Sequence, residues 1–131
     1  MDEDGRCLVL VVEDDPSIAD FVESVLTEEG YEVQVTPSAE EGLRLAGQKR
    51  PAVVLLDVVL PGMSGGEFLA ELRRAYGPDI PVVLMTAARE EPAQPGLTAE
   101  GLLLKPFDLN ALLHEVERVT GEKCRQPGAS V

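Results

Sequence analysis

The stretch from Val53 to Phe68, VVLLDVVLPGMSGGEF, restricts what this chain can fold into more than any other. Four apolar residues, Val53 to Leu56, run into Asp57 without polar alternation, and a Pro and Gly turn follows. Bounded by Pro51 and Pro61, such a run reads as a short strand covered on both faces, which is the habit of parallel sheets. Asp57 then stands at the strand's carboxyl end, the edge where open α/β sheets bind ligands. An Asp at a strand end can also do no more than cap a turn. Its weight depends on what the other strands deliver beside it.

The rest of the chain alternates strand and helix signals. Leu8 to Val12, LVLVV, is a second continuous apolar run and ends in Glu13, Asp14 and Asp15 before Pro16. Asp15 with Pro16 predicts a helix start, since Asp accepts hydrogen bonds from free amides and Pro at the first helical position forfeits none. The apolar face of that helix is read as Ile18, Phe21, Val22, Val25 and Leu26, with Gly30 as its stop. Tyr31, Val33 and Val35 alternate with Glu32 and Gln34, predicting a half-exposed edge strand.

Ser38 with Glu41 and Ser64 with Glu67 have the spacing of capping boxes and predict the second and third helices, the third ending near Gly77 and Pro78. Pro81 to Ala87, PVVLMTA, predicts a buried strand with Thr86 at its end. Leu102 to Phe107, LLLKPF, predicts the last strand, ending in Lys105. Asp108 caps a final helix with Leu109, Leu112, Leu113 and Val116 as its apolar face and His114 turned to solvent. The expected domain is 7–120, with 121–131 a fraying tail or the start of a linker.

Five strands alternating with helices define an α/β fold, a doubly wound parallel sheet in the flavodoxin-like order 2-1-3-4-5. That order sets the first and third strands side by side where the winding reverses, which brings Asp14 and its neighbours next to Asp57. Thr86 and Lys105 are expected at the same crevice. Two carboxylates about 4 Å apart repel by roughly 4 kcal/mol at an effective dielectric of 20, so such a cluster calls for a cation. Few protein ligands with room for phosphate oxygens favour Mg²⁺ over Ca²⁺. A carboxylate can also attack phosphorus to form an acyl phosphate where a metal and a fixed ammonium neutralise the phosphoryl oxygens. Lys105 suits the ammonium, and the Thr86 hydroxyl can donate to a phosphoryl oxygen.

At these residues the sequence resembles the receiver domain of bacterial two-component response regulators. The similarity covers about Cys7 to Thr120, through VVEDDP for the acidic pocket, LLDVVLPGMSG for the phosphoacceptor loop, MTA for the hydroxyl site and KPF for the lysine. The resemblance implies phosphotransfer from a sensor histidine kinase, or a phosphotransfer protein, onto Asp57. Mg²⁺ would be held by Asp14, Asp57 and the main-chain carbonyl of Val59, with Glu13 assisting through water. It implies a signalling domain that assists its own phosphotransfer and dephosphorylation, not an enzyme acting on a separate substrate, and a cis peptide between Lys105 and Pro106.

Two departures from the family pattern bear on output. Leu102 stands where the family has Tyr or Phe, and Thr98 where it has Gly, so the aromatic half of the usual switch with Thr86 is missing. The interval from Thr86 to Lys105 is roughly three residues shorter than in the family, and Pro92, Pro95 and Gly96 interrupt it. The helix between the fourth and fifth strands, Ala88 to Thr98, is therefore expected to be shortened or absent, since an interior Pro costs about 3 kcal/mol. The dimer that many receivers form through that helix and the final one is not expected.

Charge narrows the partners. With 24 acidic and 11 basic residues the net charge is −13, which opposes direct binding to nucleic acid and to anionic membranes. Neither a signal peptide nor a membrane span is read in the sequence, and the expected location is cytoplasmic. Cys7 and Cys124 have neither metal nor framework spacing and are expected as reduced thiols. A haloacid dehalogenase-type phosphohydrolase would need a second Asp where Val59 stands. A nucleotide-binding flavodoxin-like domain would need a phosphate loop where Glu13, Asp14 and Asp15 stand. The remaining alternative is a receiver-like interaction module with little phosphorylation-dependent switching.

Overall fold

A computed structural model describes residues 7–60, 62–87 and 99–124. Five parallel strands, β1 (Leu8–Val12), β2 (Glu32–Thr36), β3 (Val53–Asp57), β4 (Val82–Ala87) and β5 (Gly101–Lys105), form one sheet in the order β2-β1-β3-β4-β5. Helices α1 (Pro16–Glu28), α2 (Ala39–Gln48), α3 (Gly65–Tyr76) and α4 (Leu109–Thr120) cover it, and a 3₁₀ turn at Gly121–Cys124 follows α4. The doubly wound architecture and strand order are those the sequence predicts. The segment expected to have a shortened or absent helix, Ala88 to Thr98, lies outside the described residues, as do residues 125–131 of the predicted tail.

The unalternated apolar strands are what a sheet buried on both faces requires. Odd and even residues of each central strand feed two separate cores. One holds Val9, Val11, Val53, Leu55, Val83, Met85 and Leu103 against Val22 and Leu26 of α1 and Leu112 and Val116 of α4. The other holds Leu10, Val12, Val54, Leu56, Val82 and Leu84 against Phe68, Leu69 and Leu72 of α3 and Ala46 of α2.

The caps are mostly as read. The Asp15 carboxylate accepts from the Ser17 and Ile18 amides at 2.9 and 3.4 Å. Ser64 and Glu67 make the full reciprocal box. Ser38 makes only half of one: its hydroxyl accepts from the Glu41 amide, while the Glu41 carboxylate turns one turn onward to pair with Arg44.

Three packing expectations are corrected. Phe21 of α1 is 38% exposed and lies against the Phe107 ring, 6.4 Å between centroids, while Ala19 takes the buried position between helix and sheet. Leu109 is 45% exposed, because it opens α4 at the sheet's rim, ahead of the turn whose Leu112 reaches the core. His114 is exposed as expected.

The third correction concerns the cysteines, which are joined in a Cys7–Cys124 disulfide and not reduced. Their Cα atoms are 5.7 Å apart although 117 positions separate them in the chain. Spacing rules see only local sequence. Here the start of β1 and the turn after α4 meet because both lie at the same end of the sheet, within disulfide reach. The expected fraying from Gly121 is accordingly replaced, for residues 121–124, by a turn that buries Cys124.

Core and flank positions should respond differently to truncation. Phe68→Ala, at a side chain with no exposure, should lower unfolding free energy by about 3–5 kcal/mol. Phe21→Ala at the rim should cost less than half of that. Urea denaturation of the two variants against the parent measures both.

Candidate phosphoacceptor site

The site is built from one phase of the strand alternation. In β1 the column Val9, Val11 continues to Glu13; in β3 Val53, Leu55 continues to Asp57; in β5 Leu103 continues to Lys105. Each column is apolar where helices cover it and charged one step past the core, at the carboxyl edge. β1 and β3 are direct neighbours at the switch point, with Val12 paired to Leu56, so Glu13 and Asp57 emerge side by side.

Glu13, Asp14 and Asp57 each offer a carboxylate oxygen within 4.8 Å of the others, Glu13 and Asp57 buried and Asp14 exposed. The Lys105 ammonium lies 3.1 Å from Glu13 Oε1 and 3.3 Å from Asp57 Oδ1. The Lys105–Pro106 peptide is cis, as expected. The Val59 amide donates to Asp57 Oδ1 at 3.1 Å, and the Asp15 amide donates to Glu13 Oε2 at 3.1 Å. Among the described residues Oε1 of Glu13 has no hydrogen-bond partner despite its burial. The lysine contact there is within ionic range but off hydrogen-bond geometry.

The loop after Asp57 folds back tightly. A Cβ at Gly65 would stand 3.0 Å from the Val58 Cα and 3.1 Å from its carbonyl oxygen, so glycine is what lets the start of α3 press on the loop after Asp57. The Gly65 amide donates to that same carbonyl at 3.1 Å. The sequence signal for this close approach is the Gly65–Gly66 pair just after the capping Ser64.

Burial, reinforced by the Asp57 carboxylate, pushes the Glu13 carboxyl up to about 7, against the opposing pull of the Asp15 amide and Lys105. For Lys105, burial would lower the ammonium, but the Asp57 and Glu13 carboxylates more than offset it, and the balance is raised. Lys105 therefore stays charged at neutral pH, while the Glu13 carboxyl is held well above the usual carboxylate range.

Thr86 is on the other phase, one residue past Met85, which pairs with Asp57. It is buried, and its hydroxyl donates to the Ala87 carbonyl at 3.2 Å. The described contacts thus join Glu13, Asp57 and Lys105 directly and set Asp14 among them, but they do not join Thr86 to the carboxylates. Leu102 pairs with Leu84, two positions before Thr86, and is half exposed. Val59 is 58% exposed, with its amide turned to Asp57.

A parallel 2-1-3-4-5 sheet with an acidic cluster and one lysine at its switch point defines a phosphoacceptor α/β domain of the signalling kind. Residues 9–117 match the response regulator receiver domain family, and the chain belongs to it. It is 37% identical over 129 residues to the Mycobacterium tuberculosis protein named "Probable transcriptional regulatory protein TcrX", the match covering 94% of this chain and 55% of that one. The chain thus spans about half the length of that relative. Among solved structures, chemotaxis protein CheY4 of Vibrio cholerae is 31% identical with a TM-score of 0.78, covering 87% of this chain and 98% of the other. The receiver domain of the sensor histidine kinase PA1611 of Pseudomonas aeruginosa is 26% identical with a TM-score of 0.81, covering 89% and 99%. That structure has a magnesium ion coordinated in its active-site cleft.

The Glu13 environment predicts a pH effect on the metal-free protein. Its carboxyl titrates higher folded than at the ordinary value of 4.5. The folded state therefore binds the proton more tightly, and the stabilisation is full below pH 4.5 and lost as pH rises to about 7. With chelator present, urea midpoints should fall across that window, and Glu13→Gln should flatten the fall.

Proposed function

We propose that this domain takes a phosphoryl group from a phosphohistidine of a sensor kinase or phosphotransfer protein onto Asp57. The observation that carries the reading is the Lys105 ammonium set within 3.3 Å of Asp57 and 3.1 Å of Glu13 at the end of the central strand. An Asp57 carboxylate oxygen attacks phosphorus, the P–N bond to the histidine breaks, and an acyl phosphate forms. Lys105 offsets negative charge on the phosphoryl oxygens, and the Val59 amide holds the attacking carboxylate in place. The Thr86 hydroxyl leaves Ala87 to donate to a phosphoryl oxygen.

Mg²⁺ fits the residues present. Among the described residues three carboxylates gather around the Lys105 ammonium, and the buried Oε1 of Glu13 has no hydrogen-bond donor. Asp14, Asp57 and the Val59 carbonyl would hold the ion, with Glu13 reached through water. When bound it supplies charge neutralisation for the transferring group. We take the domain to run from Cys7 to Cys124, slightly past the limit read from sequence, and to work without a separate substrate of its own. A cytoplasmic location follows from the proposed kinase partner. Among the described residues no helix is long and apolar enough to cross a membrane.

The net charge of −13 leaves direct nucleic-acid or membrane binding by this domain disfavoured. Leu102, apolar and half exposed, carries no group to report a movement of Thr86, so output runs through a surface other than an aromatic switch or the usual dimer face.

Incubation with acetyl phosphate and Mg²⁺ should add one phosphoryl mass to the intact protein, and Asp57→Asn should abolish it. A mass gain that survives in Asp57→Asn would overturn the assignment.

A second measurement isolates the metal. Magnesium at tenfold its dissociation constant should stabilise the fold by about 1.4 kcal/mol through mass action. Asp14→Ala should lose that response in thermal melts. Equal stabilisation of variant and parent would place the ion elsewhere.

A further inference from the structure

The Cys7–Cys124 bond lies at the opposite end of the sheet from Asp57. Cys7 precedes β1, and its carbonyl accepts from the Glu32 amide at 2.9 Å, so its backbone is fixed within the sheet. Cys124 closes the 3₁₀ turn after α4 and is buried in the core shared by α1 and α4. Gly121, with φ of 65°, makes that return possible, because its positive φ is one that side-chain-bearing residues rarely adopt. Ahead of it the Thr120 hydroxyl donates to the Val116 carbonyl at 2.8 Å. The bond therefore pins the end of the last helix to the first residue of the sheet.

We infer that the Cys7–Cys124 pair is a redox-responsive staple that fixes, when oxidised, and frees, when reduced, the turn that follows α4. The two cysteines differ in access: Cys7 is half-buried, whereas Cys124 is 4% exposed. A small-molecule disulfide such as oxidised glutathione is the oxidant class that fits. The Cys7 thiolate attacks one of its sulfurs and expels one small thiolate. The Cys124 thiolate, its proton released to water, then attacks the Cys7 sulfur of the mixed disulfide and expels the second. Two electrons pass from the protein sulfurs to the small disulfide, which leaves as two thiols. Reduction runs the same path backwards, entering at Cys7.

Closure across 117 positions removes much of the unfolded chain's freedom, so the oxidised form is the more stable one. A compartment that keeps thiols reduced makes the open form the resting one there. The staple stands independently of the phosphotransfer reading, since it lies at the other edge of the sheet and touches none of the site residues.

The full chain, equilibrated natively in glutathione buffers from reducing to oxidising, is denatured, alkylated and weighed. Expected are two alkylated cysteines at the reducing end, none at the oxidising end, and a higher melting temperature for the oxidised form. Cys7→Ser and Cys124→Ser should each melt with the reduced parent and lose any response to reductant. Hydrogen exchange should show the amides from Val116 to Cys124 less protected after reduction. Two alkylatable thiols under oxidising buffer, a bond that persists natively under fully reducing buffer, or equal exchange in both states would each overturn the proposal. Acetyl phosphate labelling of Cys7→Ser serves as the control for an intact Asp57 site, and its yield should match the parent.

Discussion

Among the described residues three carboxylates and one ammonium share the carboxyl edge of the sheet, and the site depends on how their charges are balanced. At the separations observed, up to 4.8 Å, each carboxylate pair repels by about 3–4 kcal/mol at an effective dielectric of 20. Lys105 cannot neutralise all three. The fold accommodates the remainder in two ways: Glu13 moves toward its protonated form, and Asp14 stays in solvent. Such an arrangement is a poor way to stabilise a protein and a good way to prepare a place for a cation and a phosphoryl group.

The cost is borne by the sheet behind the site. The columns that end in Glu13, Asp57 and Lys105 are, one step back, among the most completely buried residues in the chain, including Val11 and Leu55 at zero exposure. Rigid apolar packing on both faces holds the charged ends where they are, because a slip of one residue in any strand would send its charged end to the opposite face. The loop after Asp57 is held in the same spirit by backbone contact at Gly65 and by the Val59 amide, leaving little room beside Asp57.

What was legible in the sequence was whatever depends on local pattern. Unalternated runs such as LVLVV and VVLLD read as strands buried on both sides, and their alternation with helices pointed to the 2-1-3-4-5 order and so to the meeting of Glu13, Asp14, Asp57 and Lys105. The caps at Asp15 and Ser64 were legible for the same reason. What escaped depends on three-dimensional competition. Glu41 had two suitors, the Ser38 amide and Arg44, and spacing alone does not rank them. Phe21 and Leu109 have helical spacing that suits a core, but the sheet does not extend under them. The Thr86 phase could be read only once the Asp57–Met85 pairing gave the register. Cys7 and Cys124 meet through the winding of the entire chain, which no spacing rule encodes.

Helix α4 connects the two ends of the molecule. Its cap, Asp108, lies three residues past Lys105, and its last residue, Thr120, lies four before Cys124. Twelve residues at about 1.5 Å each make a rod of roughly 18 Å, enough to run the height of the sheet from the site edge to the disulfide. Along the way it is tied to the edge strand: the Glu115 carboxylate accepts from the Leu102 amide at 2.9 Å, and Arg118 donates to the Glu100 carbonyl at 2.9 Å. Its inner face is locked by Leu112 and Val116, which have no exposure. The start of α4 follows the site lysine by a few residues, and its end leads into the turn that holds Cys124. The helix is thus a rigid strut between the charged cluster at one edge of the sheet and the disulfide at the other.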